Sequence, residues 1–393
     1  MKIALVVYQF IKEKGGVESY VFNLSRHLLD RCHEVHIFAH RFGQDQDKRL
    51  LFHHVPAITF WSPLKHWTFA VNAPKIIKKT GIKFDIVHGF TQTLFQDIYR
   101  VGGGCHWDYM MHTYPLMQSA FGKIVLCLNP RHFSLLLLER IIFKRKCYKQ
   151  ITCISEQCKK EIIHHYKLPA NDVEVIYNGA DTDVFTPQNR LKNRDSIRAK
   201  YSIFKEDVLL LFVGSGFKRK GLKYIIDALP LIDTDKKIKL LVAGRGKVRE
   251  YQKLAKENGI IDKIIFAGVY KNIQEIYAAG DIFVFPSEYD AFGTACLEAM
   301  ASGLPVVVSK TSGVSEIITH GKDGFVVNHP IDAKEMVEYI ELLMEKEKRE
   351  EMGSAARQKS EMYSFEANIE KTLRIYHRVL GNNSQKGTVK NIV

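Results

Sequence analysis

Asp207-Val208-Leu209-Leu210-Leu211-Phe212-Val213-Gly214-Ser215-Gly216-Phe217-Lys218-Arg219-Lys220-Gly221 holds three kinds of residue in one order. Val208 to Val213 are all apolar, as a strand buried on both faces of a parallel sheet must be. A glycine-rich turn follows, then three cations, and the spacing beyond Gly221 predicts a helix over 221–232. Glycine lets a ligand approach the backbone closely. The helix start adds free N–H donors, so the loop suits a diphosphate. It is neither a Walker loop, for no Gly-Lys-Ser/Thr follows, nor a dinucleotide fingerprint, for the third glycine comes late. On spacing alone a basic surface turn is an equal alternative.

Working outward, strands are predicted at 238–244, 264–267, 282–285 and 305–308, with helices at 247–258, 272–279 and 294–302. That alternation gives a doubly wound α/β domain over 186–362. The same order opens the chain: strands at 2–8, 34–39 and 84–88, and a helix at 17–30 with Val17, Tyr20, Val21, Leu24 and Leu28 on one face. It follows a loop, 9–16, ending in Gly15-Gly16. A first α/β domain is therefore expected over 1–185. Asn178 to Pro187 reads as a linker. A helix at about 363–380 is expected to cross back to the first domain, and the polar tail 381–393 to be disordered. In such sheets ligands bind beyond the carboxyl ends of the strands, so both loop sets are expected to face a central cleft.

The 393 residues suit two domains. Net charge is +14, and residues 1–180 hold 24 Lys and Arg against 14 Asp and Glu. Such a field favours an anionic partner: a membrane surface, an acidic glycolipid or nucleic acid. No nucleic-acid module is recognisable, so nucleic acid is not expected as a partner. The seven cysteines lack metal or disulfide spacing, and with no signal peptide or membrane span in sight the chain is expected in the cytoplasm, as a monomer or weak dimer, with peripheral membrane contact at most. Residues 131–149 place Arg140, Lys144, Arg145, Lys146 and Lys149 beside apolar residues, and those charges are expected to meet anionic lipid.

A second loop carries chemistry. Phe285-Pro286 ends a strand, Asp290 lies in the loop, Phe292-Gly293-Thr294 opens a helix, and Glu298 sits inside it. A carboxylate can accept two hydrogen bonds from paired hydroxyls of a ribose or hexose. An N-capping Asp and a solvated helix Glu are the plain alternatives.

Taken together, Pro286-Ser287-x-x-Asp290-Ala291-Phe292-Gly293-x-x-x-Leu297-Glu298-Ala299-Met300-Ala301-x-Gly303-x-Pro305-Val306-Val307 resembles the signature of retaining GT-B glycosyltransferases of family 4. That family carries two Glu with seven residues between them; here the first is Asp290 and the second Glu298. Gly216 to Gly221, Asn178 to Pro187 and Gly15-Gly16 match three further motifs, so the resemblance runs from residue 1 to about 380. It implies that Glu298 binds the donor ribose, and that Asp290 and the amides of Ala291, Phe292, Gly293 and Thr294 face the donor sugar and phosphates. It implies that Arg219 and Lys220 neutralise the leaving diphosphate, beside Gly214 and Ser215, and that Gly16 lets its loop approach that phosphate. Val269 would cradle the base through its backbone.

Arg100 to Tyr109 contains Gly102-Gly103-Gly104, then His106 and Asp108. The loop is similar to that of lipopolysaccharide-core glucosyltransferases, which place an acidic residue where this chain has Gly103. His106 and Asp108 are candidates for a general base, and His88 for touching substrate; packing histidines are the alternative. The resemblance implies a retaining transfer of a hexose, as from UDP-glucose, to a glycolipid or oligosaccharide acceptor. It implies no metal and no cofactor beyond the nucleotide-sugar donor. A soluble glycan synthase, an epimerase of the same fold and, less so, a basic nucleic-acid-binding protein are the rival readings.

Overall fold

The computed structural model describes residues 1–44, 47–234, 237–329 and 331–388, and the chain forms two units, Met1–Tyr177 with Ile369–Val393 and Asn178–Asn368. In the first, seven strands lie in the spatial order Leu51–His54, Glu34–Ala39, Lys2–Val6, Ile86–Gly89, Ile98–Val101, Gln150–Cys153 and Val173–Val175. Every pairing is parallel. In the second the order is Ile264–Gly268, Ile238–Ala243, Val208–Val213, Ile282–Phe285, Val306–Ser309 and Phe325–Val327, again all parallel. Counted along the chain both sheets run 3-2-1-4, so each reverses direction beside its own first strand. The loops after Val6 and Gly89, and those after Val213 and Phe285, stand at these reversals.

The strands form where apolar residues run on because helices cover both faces. Leu209, Leu210, Leu211 and Phe212 are fully buried, as are Ile282, Phe283, Val284 and Phe285. The strands at 51–54, 98–101, 150–153, 173–175 and 325–327 carry polar or short sequences and were not anticipated.

The division at Tyr177 falls eight residues before the expected one, because the supposed linker is fastened to the second unit. Ala180 donates its N–H to Tyr363 O (3.1 Å) and accepts from Phe365 N (2.8 Å), and Arg357 donates to the carbonyls of Thr182 and Phe185. Asp181 Oδ1 accepts from the amides of Asp183 and Val184, closing a turn. The last helix spans Phe365–Thr388, longer than the expected 363–380 and reaching into the segment expected to be disordered. Its residues 381–388 include no proline to stop it. Residues 389–393 of that tail lie outside the described residues. From Ile369 onward the helix belongs to the first unit, as expected.

Candidate active site

The two chemistry-bearing loops of the second unit lie side by side, because the strands that deliver them are hydrogen-bonded neighbours. Phe217 is buried and pins the Gly214–Gly221 loop to the core. Gly216 donates to Arg245 O (2.8 Å), and Gly216 and Gly221 both take positive φ, 81° and 77°. A Cβ at Gly221 would lie 1.7 Å from the Pro286 carbonyl oxygen, so only glycine permits the loops to touch. Across that contact Glu288 N donates to Arg219 O (2.9 Å), and Ser287 Oγ to the same carbonyl.

Three predicted residues meet there. Asp290 Oδ2 accepts from Lys220 Nζ and from Arg219 Nη1 (3.2 Å), while Arg219 Nη1 also donates to Tyr289 O (2.6 Å). Asp290 Oδ1 takes the Phe292 amide at 3.2 Å. Lys220 Nζ lies 4.7 Å from the centre of the Phe285 ring, a cation–π contact. Burial pushes the Asp290 carboxyl up, but Lys220, Arg219 and the Phe292 amide together hold it below the usual carboxylate range. Burial, aided by Arg219, draws the Lys220 ammonium down against the pull of Asp290. The ionised trio carries one net positive charge.

Asp290 thus occupies itself with the cations, and one of the four predicted amides, that of Phe292, is already capped. The Phe292 side chain is buried. Gly293, with φ 94°, starts the helix Thr294–Ala301. Inside it Glu298 Oε2 accepts from Tyr277 O–H at 2.9 Å, and burial pushes its carboxyl up to about 7. Tyr277 went unnoticed in the sequence: it lies 21 residues away with no motif to mark it. Ser215 Oγ accepts from Arg245 N (3.3 Å), Gly214 N donates to Ala243 O (2.9 Å), and Val269 is exposed beyond the strand Ile264–Gly268.

In the first unit Gly15 and Gly16 open the helix Gly16–Asp30 and are exposed, with open space where a Gly16 side chain would be. A Cβ at Gly102 would approach Val17 to 3.2 Å, so the triple-glycine loop stands beside that helix start. His106 Nε2 meets His132 Nδ1 at 3.1 Å; burial first, then His132, Arg131 and His66, lower its pKa to about 4. Asp108 Oδ2 lies 2.8 Å from His165 Nε2. His88 is buried, its Nδ1 2.7 Å from the Tyr376 hydroxyl. Cys105, Asp108 and His165 could together offer a metal three ligand atoms. Burial pushes the Cys105 thiol far above its ordinary range. All seven cysteines are free.

Residues 14–184 match the family model described as Glycosyltransferase Family 4, and residues 193–359 match that of Glycosyl transferases group 1. The chain is a GT-B glycosyltransferase. The transferase is 28% identical over 356 residues to an uncharacterized glycosyltransferase of Methanocaldococcus jannaschii, across 83% of this chain and 85% of that one. It is 22% identical over 342 residues to the lipopolysaccharide glucosyltransferase WaaG of Escherichia coli, across 86% and 88%. The crystal structure of WaaG shares its fold with a TM-score of 0.82, 21% identity and coverage of 95% and 99%. Anabaena HepE, solved in complex with UDP and glucose, does so with a TM-score of 0.73, 18% identity and coverage of 96% and 100%.

Proposed function

We propose that this transferase moves a hexose from a UDP-type sugar nucleotide to a glycolipid or polysaccharide-precursor acceptor, with retention at the anomeric carbon and without a metal. The observation that carries the reading is the cluster of Arg219, Lys220 and Asp290 at the sheet's reversal point, beside the helix bearing Glu298. Breaking the anomeric C–O bond builds negative charge on the departing diphosphate. Cations already fixed in place stabilise that charge more than they stabilise the bound donor, which is what lowers a barrier. Asp290 holds both cations still while cancelling only one of them. Glu298 takes the ribose hydroxyls, and Tyr277 orients it.

The acceptor reading draws on the basic first half and on the activity named for WaaG. The UDP reading draws on the ligand named for HepE. Thermal shift with UDP, GDP and ADP, followed by turnover of the matching sugar nucleotides with and without EDTA, tests it. A rise with UDP, turnover indifferent to EDTA and an α-linked product from an α-donor are expected. No response to any nucleotide, or turnover abolished by EDTA, sinks it.

A further inference from the structure

The helix Ala120–Leu128 turns an apolar face outward. Phe121 is 76% exposed, Ile124 59%, Val125 44% and Leu128 73%. Their spacing of three, four and seven places all four on one side. Lys123, the helix's sole cation, falls on the other side and is half-buried. The inner side alone holds the helix in place. Leu126 packs in a small cluster with Met110 and Met117, and Gly122 lies so close to the preceding turn that a Cβ would sit 1.9 Å from Leu116 O. The fold has no use for the outer side, and water is a poor solvent for it.

The surroundings say what does cover it. Exposed Leu116 and Phe133 flank the helix at its two ends. Phe60, 84% exposed, and Trp61 project from the loop before the helix Ser62–Lys79, whose Pro63 carbonyl accepts from Ser134 Oγ, one residue from Phe133. Arg131 is exposed and close enough to Lys65 to bear on its charge, as are Arg41 and Lys14; Glu18 is the acid that opposes them. Apolar and aromatic side chains with the exposed Arg131 three residues beyond Leu128 match the interface of an anionic bilayer. Among the described residues no single helix is long and apolar enough to cross a membrane. The next helix, Pro130–Lys144, bends away at 86° and buries Leu135, Leu138, Ile142 and Phe143 in the unit. The exposed face can therefore lie on a bilayer but not span it.

We propose that the helix Ala120–Leu128 inserts flat into an anionic lipid surface, with Phe121, Ile124, Val125 and Leu128 among the acyl chains and Arg131 and Lys65 at the headgroup phosphates. This contact lies at the start of the next helix, whereas the charges expected to meet lipid, Arg140, Lys144, Arg145, Lys146 and Lys149, lie toward and beyond its other end, about 20 Å away at Lys144. The inference deepens the proposed function and rests on it only for the lipid-borne acceptor.

Co-sedimentation of the full chain with vesicles containing about 30% phosphatidylglycerol, without donor, tests it. The wild type is expected to bind these and to bind pure phosphatidylcholine less. Phe121→Ser/Ile124→Ser/Leu128→Ser is expected to weaken binding by about tenfold or more, while Lys144→Glu/Arg145→Glu/Lys146→Glu keeps most of it. Phe121→Trp, which preserves the apolar face, is expected to gain emission that acyl-brominated lipid quenches. Equal binding by the serine variant, or no quenching, overturns the proposal. So does a wild-type dimer in sedimentation velocity that the serine variant abolishes without any vesicle binding, which would give the face to a second copy. The UDP thermal shift is read in parallel: its presence in a protein that ignores vesicles separates failure here from failure of the transferase reading.

Discussion

Asp290, which takes the place of the first Glu in the signature this sequence resembles, is held by two cations. Its Oδ2 accepts from both Lys220 and Arg219. Lys220→Met is expected to cut kcat by about a hundredfold, the size of effect seen when one preorganised charge is removed from a developing anion. Arg219 still pairs Asp290 in that variant, so the protein should stay folded with a somewhat lower Tm; wild-type kcat in Lys220→Met would remove the lysine from the mechanism. Glu298 gives a pH signature. Burial raises its carboxyl to about 7, so below that pH the group is protonated and loses acceptor capacity toward a diol. Donor KM should rise by up to about tenfold per pH unit below 7, and Glu298→Gln should flatten the profile. Glu139 offers a stability test of the same kind. It is buried, accepts from Tyr166 O–H at 2.7 Å, and burial lifts its carboxyl to about 7, above its unfolded value. A raised folded pKa favours the native state at low pH, and that advantage is lost as pH climbs through 7. Glu139→Gln should therefore gain Tm relative to wild type at pH 8 by more than at pH 5, and an unchanged difference would count against the raised pKa.

At the scale of elements, what is rigid is the contact between two loops. Gly221→Ala would add a Cβ 1.7 Å from Pro286 O at a φ of 77°, so the loops must part. The expected result is a loss of the UDP thermal shift together with a lower Tm, read in one melt with and without nucleotide; a full UDP shift in Gly221→Ala would show that the contact does not shape the site. This contact was legible in outline: glycine and cation runs at strand ends are local signals. Its partners were not. Tyr277, which holds Glu298, and Asp290's closure on the cations depend on which strands become neighbours, and a sequence does not display that. The short strands Leu51–His54 and Gln150–Cys153 escaped notice for a related reason. They carry His53, His54, Gln150 and Thr152, and only their place in a seven-stranded sheet makes them strands. Nothing in the sequence of Ala120–Leu128 marks one side of that helix as exposed, because burial depends on what packs against it.

At the scale of the whole molecule, the chain leaves the first unit at Tyr177 and re-enters it at Ile369. The returning helix buries Ile369, Ile375 and Tyr376 there. The Tyr376 hydroxyl meets His88 at the end of the strand Ile86–Gly89, and burial holds that imidazole neutral, far below its usual pKa. A chain built this way commits its last element to the stability of its first. Tyr376→Ala removes a buried ring and strands His88, at a cost of about 3–5 kcal/mol. UDP binding is proposed for the second unit, so nucleotide should raise one calorimetric transition and the substitution should lower the other. If instead the variant melts as a single transition that falls as a whole, the two units unfold together, and the returning helix stabilises the donor site as well as its own sheet.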